Sequence, residues 1–343
     1  MNVKVFLLGF VALAGTSLIF FGMNQGMSFD EPSLSATAQF FTFKAKYGKE
    51  YSSAAELEFR LKIFADTLEK ISAHNADLGQ SYTLGVNEFS DMTFAEFRAK
   101  YLEDFLEIRD DSKCYVPTER IPSENDSASE VDWVVAGKVR EPKTQGKCRS
   151  SYAFATVAAI ESAYAIYKNV DVPDISEQEL IDCSWDYRNN GCSSGMAISA
   201  YSYILDHQIN SREKYPYVEK EQTCNQSLVD KGEFEINRCY QPISNVEGLI
   251  EAVRKQPVTV VFSVQDDFMS YSGGIYNHKN CTDYPYHNVL TVGFKLDGDL
   301  PYFRVKNSWG TGWGEKGYFR VFTGEGNGTC DIAGTGWNAY PAF

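Results

Sequence analysis

From Leu57 the apolar positions Leu61, Phe64, Leu68 and Ile71 recur at steps of four, three, four and three, which predicts an amphipathic helix with one buried face. The segment Ser151 to Lys168 is apolar on nearly every side (Tyr152, Phe154, Val157, Ala158, Ile160, Tyr164, Ile166), as expected of a helix enclosed by a core. Ser176-Glu177-Gln178-Glu179 stands immediately before Leu180 and Ile181 and predicts a capping box, in which each end residue satisfies the other's free backbone N–H. The pattern then changes. Val258 to Val264, Val289 to Phe294, Tyr302 to Lys306 and Tyr318 to Phe322 are short β-branched or aromatic runs separated by Gly-rich turns, so the C-terminal half is expected to be mostly sheet. Helices first and strands later argue for an α+β chain of two lobes, with the cleft between them as the natural place for a site.

Two stretches stand outside this pattern. Glu103 to Glu130 is rich in Asp, Glu, Ser and Pro with little periodicity and reads as an exposed linker open to proteolysis. Val5 to Met23 carries no charge after Lys4 and suits either a secretory signal or a single membrane anchor. The expectation is a signal removed between residues 14 and 26, with retention as a signal anchor as the alternative. In either case the remainder enters the lumen, and the sequons at Asn125, Asn225, Asn280 and Asn327 suit that route.

At 343 residues the chain has room for two domains and an extension. Its 43% hydrophobic content places it among globular proteins, and its net charge of -14 opposes nonspecific binding to nucleic acid or anionic lipid. Eight Cys are too few for a disulfide-dense miniprotein but enough for three or four bridges in a secreted enzyme. No metal-ligand cluster or nucleotide-binding glycine motif is evident, so neither a metal nor an organic cofactor is expected.

The candidate chemistry lies in four places. Gln145-Gly146-Lys147-Cys148-Arg149-Ser150-Ser151-Tyr152-Ala153-Phe154 precedes and opens the enclosed helix, and Cys192-Ser193-Ser194-Gly195 is a second small-residue turn. Tyr286-His287-Asn288-Val289 opens a strand, and Asn307-Ser308-Trp309-Gly310 closes another. In the N-terminal region Glu56, Arg60, Phe64, Ile71 and Asn75 form one spaced pattern, with Thr67 inside it, and Gly85, Asn87, Phe89 and Asp91 form another. Together these resemble the papain family of peptidases, in particular its cathepsin L-like branch, over about Phe40 to Phe343.

The resemblance implies a papain-like fold with a helical left lobe and a β-barrel-like right lobe (131–343). It implies an inhibitory prodomain (30–102) that lies through the cleft and is removed by cutting in the linker (103–130), behind a leader (1–26). It places Ser151 where the nucleophilic Cys belongs, His287 as general base, Asn307 as the residue that orients it, Gln145 as the side-chain donor of the oxyanion hole and Trp309 as an aromatic shield. Arg149, Ser194, Gly195, Met196 and Asn288 fall where the family lines its substrate subsites. Arg149 and Ser194 replace glycines, Tyr152 replaces Trp, and Asn288 stands where a small residue is usual. The family's bridges would be Cys148–Cys192, Cys183–Cys224 and Cys281–Cys330, which leaves Cys114 and Cys239. These are expected to be free thiols, with a prosegment tether as the alternative. His74, His207 and His278 match no motif and read as surface or structural residues.

A thiol at the start of a helix beside an imidazole ionises, whereas a serine must surrender its proton during attack. The expectation is therefore a secreted or lumenal proprotein, lysosomal-type or extracellular and monomeric, whose cleft takes a peptide or protein ligand without thiol-protease chemistry. The alternative is a hydrolase using Ser151, His287 and Asn307 as a serine-type triad. A membrane contact is expected only if the N-terminal segment is kept as an anchor. A guanidinium of Arg149 filling the cleft favours the binder, and one turned to solvent leaves the enzyme open.

Overall fold

The computed structural model describes residues 34–103, 113–117, 127–282, 285–334 and 336–343. The N-terminal leader segment lies outside these residues, as do most of the linker and the sequon at Asn125; among the described helices none is long and apolar enough to cross a membrane.

The prosegment begins as a helical hairpin, α1 (Leu34–Lys46) and α2 (Ala54–Ala76), closed around the buried rings of Phe40, Phe43 and Phe64. The periodicity that starts at Leu57 is the inner face of α2. Its start is fixed by Ser53, whose hydroxyl accepts the Glu56 N–H at 3.1 Å, while the Glu56 carboxylate takes the Ser52 N–H at 2.9 Å. Both spaced patterns of the prosegment have a physical basis here. Arg60 donates to Glu96 (2.8 Å) and to the Asp91 carbonyl (3.1 Å), and Asp91 in turn receives Lys49 and Tyr51, each at 2.9 Å. Asn75 makes a pair of bonds to the backbone of Leu84, and Asn87 donates to the Met269 carbonyl at 2.8 Å, which fastens the prosegment to the main domain.

Strand β1 (Tyr82–Leu84) carries the prosegment onto the right lobe, pairing antiparallel with β5 (Tyr271–Tyr276). The approach is close at Gly274, whose φ is +90° and where a Cβ would lie 2.5 Å from the Ser81 carbonyl oxygen; only glycine permits it. Helix α3 (Phe94–Tyr101), opened by a Thr93–Glu96 capping box, then buries Phe97 against Phe89 and Trp309 and delivers the chain into the cleft.

The left lobe is built on α4 (Ser151–Lys168), enclosed as its composition predicts, with α5 (Glu177–Cys183), α6 (Ala197–Asp206) and the short α7 (Gln226–Val229) around it. The expected capping box of α5 is half formed. Ser176 accepts the Glu179 N–H at 3.1 Å, but the Glu179 carboxylate turns inward to Asn210 and Tyr203, because burial leaves those donors in need of an acceptor.

The right lobe is the expected sheet, with strand order β1-β5-β8-β7-β6-β2 and β4 alongside β6. Its members are β2 (Glu130–Asp132), β4 (Val258–Ser263), β6 (Tyr286–Lys295), β7 (Tyr302–Lys306) and β8 (Tyr318–Phe322). Helix α8 (Val246–Lys255) covers β4 and β6, and β3 (Arg238–Tyr240) pairs separately with β9 (Tyr340–Ala342). Val258, Val260 and Phe262 are fully enclosed, each contributing roughly 1.5–3 kcal/mol.

All eight Cys are paired. Cys148–Cys192, Cys183–Cys224 and Cys281–Cys330 are joined by a fourth bridge, Cys114–Cys239, which corrects the expectation of two free thiols. The Tyr115 backbone pairs with Cys239 and Gln241, each bond 2.9 Å, and this brings the two Cα atoms to 4.6 Å. A separation of 125 residues concealed that proximity. Glu103 and Cys114, expected in an exposed linker, are both buried against the main domain.

Candidate functional site

The two lobes meet where the N-terminus of α4 faces the start of β6. Ser151 is the first residue of α4 and has no exposed surface. Its Oγ accepts the Asn288 N–H at 2.9 Å and donates to Glu103 Oε1 at 3.0 Å. Both capacities of the hydroxyl are therefore directed away from the imidazole, and one of them is held by the prosegment.

His287 lies on β6 opposite Phe262 of β4, fully buried. Its Nε2 is 2.8 Å from Asn307 Oδ1, an oxygen that also accepts the Ser308 N–H at 2.7 Å and whose amide orientation is thereby fixed. A carbonyl oxygen can only accept, so His287 carries its proton on Nε2 and presents a bare lone pair on Nδ1. That Nδ1 has no hydrogen-bond partner among the described residues. Burial pushes the imidazole down to about 4, with the Asn307 bond opposing, so the ring is neutral at physiological pH. The indole of Trp309 lies 4.6 Å from the imidazole, centroid to centroid, and is 2% exposed.

Gln145 and Asn307 are held together by backbone. The Gln145 N–H donates to Ser308 O at 2.9 Å and the Gly310 N–H to Lys143 O at 3.0 Å, which zips the 307–310 turn onto residues 143–145. The Gln145 side chain is set by Ser308 Oγ, which donates to its Oε1 at 2.6 Å. Its Nε2 donates to Cys148 O (3.1 Å) and to Tyr101 O of the prosegment (3.3 Å). Beneath this turn Lys143 bridges Glu161 at 3.0 Å and Glu177 at 2.7 Å, beside a small cavity also lined by Lys306 and Asn307. Burial pushes Lys306 down to about 8, with Glu161 opposing.

Gly195 has the Tyr152 ring against it, and a Cβ there would lie 2.4 Å from that ring. Ser194 and Met196 are nearly buried beside it, and the Met196 N–H donates to Asn189 Oδ1 at 2.8 Å. Asn288 approaches the Gly195 carbonyl at 3.5 Å and donates from the same amide to Glu103 Oε2. Arg149 is half-buried, and its charge is among the influences that lower the Glu103 carboxyl. Burial pushes Glu103 up to about 8, while Ser151, the Tyr152 N–H, Asn288 and Arg149 pull it down.

All the expected positions thus converge, and the occupant of their centre is a residue that no sequence motif marks. Glu103 pairs with Tyr286 through two backbone bonds, 2.9 and 3.2 Å, so the prosegment backbone lies against the start of β6 at this residue. The remaining histidines serve structure: His74 bonds Tyr82 O at 3.1 Å, His278 approaches Asp267 at 3.5 Å, and His207 packs on Tyr203.

A two-lobed fold with a base, an orienting amide and a blocking prosegment at the lobe boundary is that of a peptidase zymogen, and known proteins agree. The family description "Papain family cysteine protease" matches residues 127–339, and "Cathepsin propeptide inhibitor domain (I29)" matches residues 40–97. A cathepsin L-like proteinase of Fasciola hepatica is 38% identical over 301 residues, covering 85% of this chain and 89% of that one. Papaya proteinase 4 of Carica papaya is 36% identical, covering 96% and 94%. The digestive procathepsin L2 proteinase from Tenebrio molitor larval midgut superposes with a TM-score of 0.81 at 33% identity, over 90% of this chain and 100% of that one. The chain belongs to the papain family and carries the family's propeptide inhibitor domain.

Proposed function

We propose that this protein is a papain-family proprotein that has lost thiol-protease chemistry and uses its inter-lobe cleft to bind a peptide or protein ligand. The observation that carries the reading is a hydroxyl, not a thiol, at the start of α4, bonded to Glu103 and Asn288 while the imidazole of His287 is held neutral by burial. A Cys in that place would be ionised by the helix terminus and the imidazolium. The serine is not, and its shorter bond to oxygen sets the nucleophile back from a carbonyl placed for sulfur, where a misplacement of about 1 Å costs on the order of 100-fold in rate.

In this reading Ser151 occupies the nucleophile position, with His287 as the ancestral base, Asn307 as its orienter and Gln145 with the 151 N–H as the ancestral oxyanion donors. Arg149, Ser194, Gly195, Met196, Asn288 and Trp309 line the ligand cleft. Residues 30–102 act as prodomain, the linker 103–130 contains the cut that frees the domain 131–343, and residues 1–26 direct the chain into the secretory pathway, toward a lysosome-like compartment or the exterior. Four disulfides support an oxidising route.

The intact His287–Asn307 bond and the bare Nδ1 favour a second reading, a hydrolase with Ser151 as nucleophile. Hydrolysis of a dibasic and a hydrophobic-P2 fluorogenic peptide, with the prodomain released, separates the two. Cleavage by Ser151→Cys alone establishes an intact scaffold without its nucleophile. Cleavage by the native protein above Ser151→Ala establishes the serine hydrolase and removes the binding reading.

A further inference from the structure

The Glu103 carboxyl is received by several groups, which offset part of the cost of burying it. Ser151 Oγ–H donates to one oxygen and the Asn288 amide to the other, the Tyr152 N–H adds a third donor, and Arg149 supplies charge. Glu103, Ser151, Tyr152 and Asn288 are all buried, so water does not reach the cluster while the prosegment is seated. The residue before Glu103, Leu102, is fully buried in the apolar cluster that contains Phe97 and Trp309, and the backbone of Glu103 pairs with Tyr286 in both directions. An apolar residue, a glutamate and an extended backbone are each read by a separate part of the cleft.

Departure of the prosegment opens these donors to water, so an occupant that excludes that water is favoured when it restores the same bonds. A main-chain carbonyl satisfies one such donor; a glutamyl side chain brings two oxygens and reaches them from a backbone that stays in register with β6. The serine also gains a reason to be there. It accepts the Asn288 N–H and donates to the carboxyl at once, a double duty a thiol performs poorly.

We propose that the cleft is a glutamyl-peptide site, taking an extended chain with an apolar residue followed by glutamate, whose carboxyl is held by Ser151, Asn288 and the Tyr152 N–H. This deepens the binding reading given above and rests on it. Its test reads amide exchange rather than hydrolysis, so a working Ser151 nucleophile would show in the peptide assay whatever the exchange shows.

The test uses the full-length chain, following hydrogen exchange of the paired Glu103 and Tyr286 amides by mass spectrometry. Glu103→Ala is expected to speed exchange at Tyr286 by about tenfold or more. Added acetate, as the missing side-chain fragment, restores protection, whereas acetamide does not. In an Asn288→Ala background the effect of Glu103→Ala shrinks, because the carboxyl has already lost a partner. Exchange in Glu103→Ala equal to the native rate overturns the proposal. So does equal rescue by acetamide, absence of rescue by acetate, or an undiminished effect in the Asn288→Ala background. Should Glu103→Ala not fold, Glu103→Gln keeps the side-chain volume and separates the same outcomes: faster exchange supports a carboxyl-selective site, and unchanged exchange removes it.

Discussion

The two walls of the cleft differ in how far they depart from the papain pattern. In the proposed alignment the right-lobe wall keeps His287, Asn307 and Trp309, while the left-lobe wall has Arg149, Ser151 and Tyr152 where the resemblance implies Gly, Cys and Trp. The difference follows from what each residue does apart from chemistry. His287 is enclosed beside Trp309, and Trp309 packs edge-on against Phe97, Phe268 and Trp313, so this wall is part of the right-lobe core. Losing any of these residues opens a cavity whether or not a reaction takes place. The left-wall residues Ser151 and Tyr152 are also buried, but Ser151 is held by hydrogen bonds to Glu103 and Asn288 and not by apolar packing. A preserved base is therefore weak evidence for activity in this fold, and the altered wall is the more informative one.

The prosegment crosses between the walls, and its attachment offers the largest test of the comparison. On the right lobe it is held by reversible contacts alone, on the left by reversible contacts and by the Cys114–Cys239 bond. A protease that cuts the linker within residues 118–126 is expected to leave the prodomain covalently attached, as a single band on a nonreducing gel that separates on reduction. Cys114→Ser removes that retention altogether. Separation of the native cut protein without reductant would place the hold in the noncovalent contacts alone.

Next in size is the effect of the base in a repaired left wall. In Ser151→Cys protein, His287→Ala is expected to lower hydrolysis by on the order of 10²–10⁴, the usual contribution of a positioned base. In the native protein the same change leaves the hydrolysis baseline where it was. A fall in the native protein would mean that Ser151 is already served by His287. Trp309→Ala then probes the packing side of the argument: loss of a fully buried indole costs about 3–5 kcal/mol, read as a lowered denaturation midpoint. A midpoint close to native would show that the right wall is not kept by its packing.

How much of this could be read from sequence depended on how local each signal was. The limits of α4 and of β7 and β8 followed from continuous apolar or β-branched runs, and His287, Asn307 and Gln145 stood in spaced motifs. Glu103 carried no such signal, being one acid in an acidic stretch; its burial depends on Leu102 and Tyr286 drawing the chain across the cleft. The Cys114–Cys239 pairing was hidden for the same reason, since only the strand contact at Tyr115 brings the residues together. Strand β1, three residues long, owes its conformation to the edge of β5 and the absence of a side chain at Gly274. Capping boxes were legible only in part: Thr93 and Glu96 form one in full at the start of α3, whereas at Ser176 a box was expected and tertiary donors took its glutamate.

The smallest expected effect comes from pH, and it sets the walls against each other. Seating the prosegment raises the Glu103 carboxyl from 4.5 to about 8 through burial, so this group favours the seated state in full below 4.5 and loses that contribution as pH rises through 8. His287, pushed from 6.5 down to about 4 by burial, works in the opposite sense insofar as release of the prosegment hydrates it: it then favours the seated state above 6.5 and withdraws that support as pH falls through 4. The Tyr152 phenol beside Glu103, raised by burial, stays neutral. Between pH 8 and 6.5 Glu103 titrates while His287 stays neutral, and protection of the Tyr286 amide is expected to rise as pH falls, by up to about tenfold per unit after correction for intrinsic exchange. From 6.5 to 4.5 the two slopes cancel and protection levels off. In His287→Ala protein the rise should continue through that lower window, because the opposing group is gone; a profile that levels off there regardless would show that the right wall takes no part in seating the prosegment.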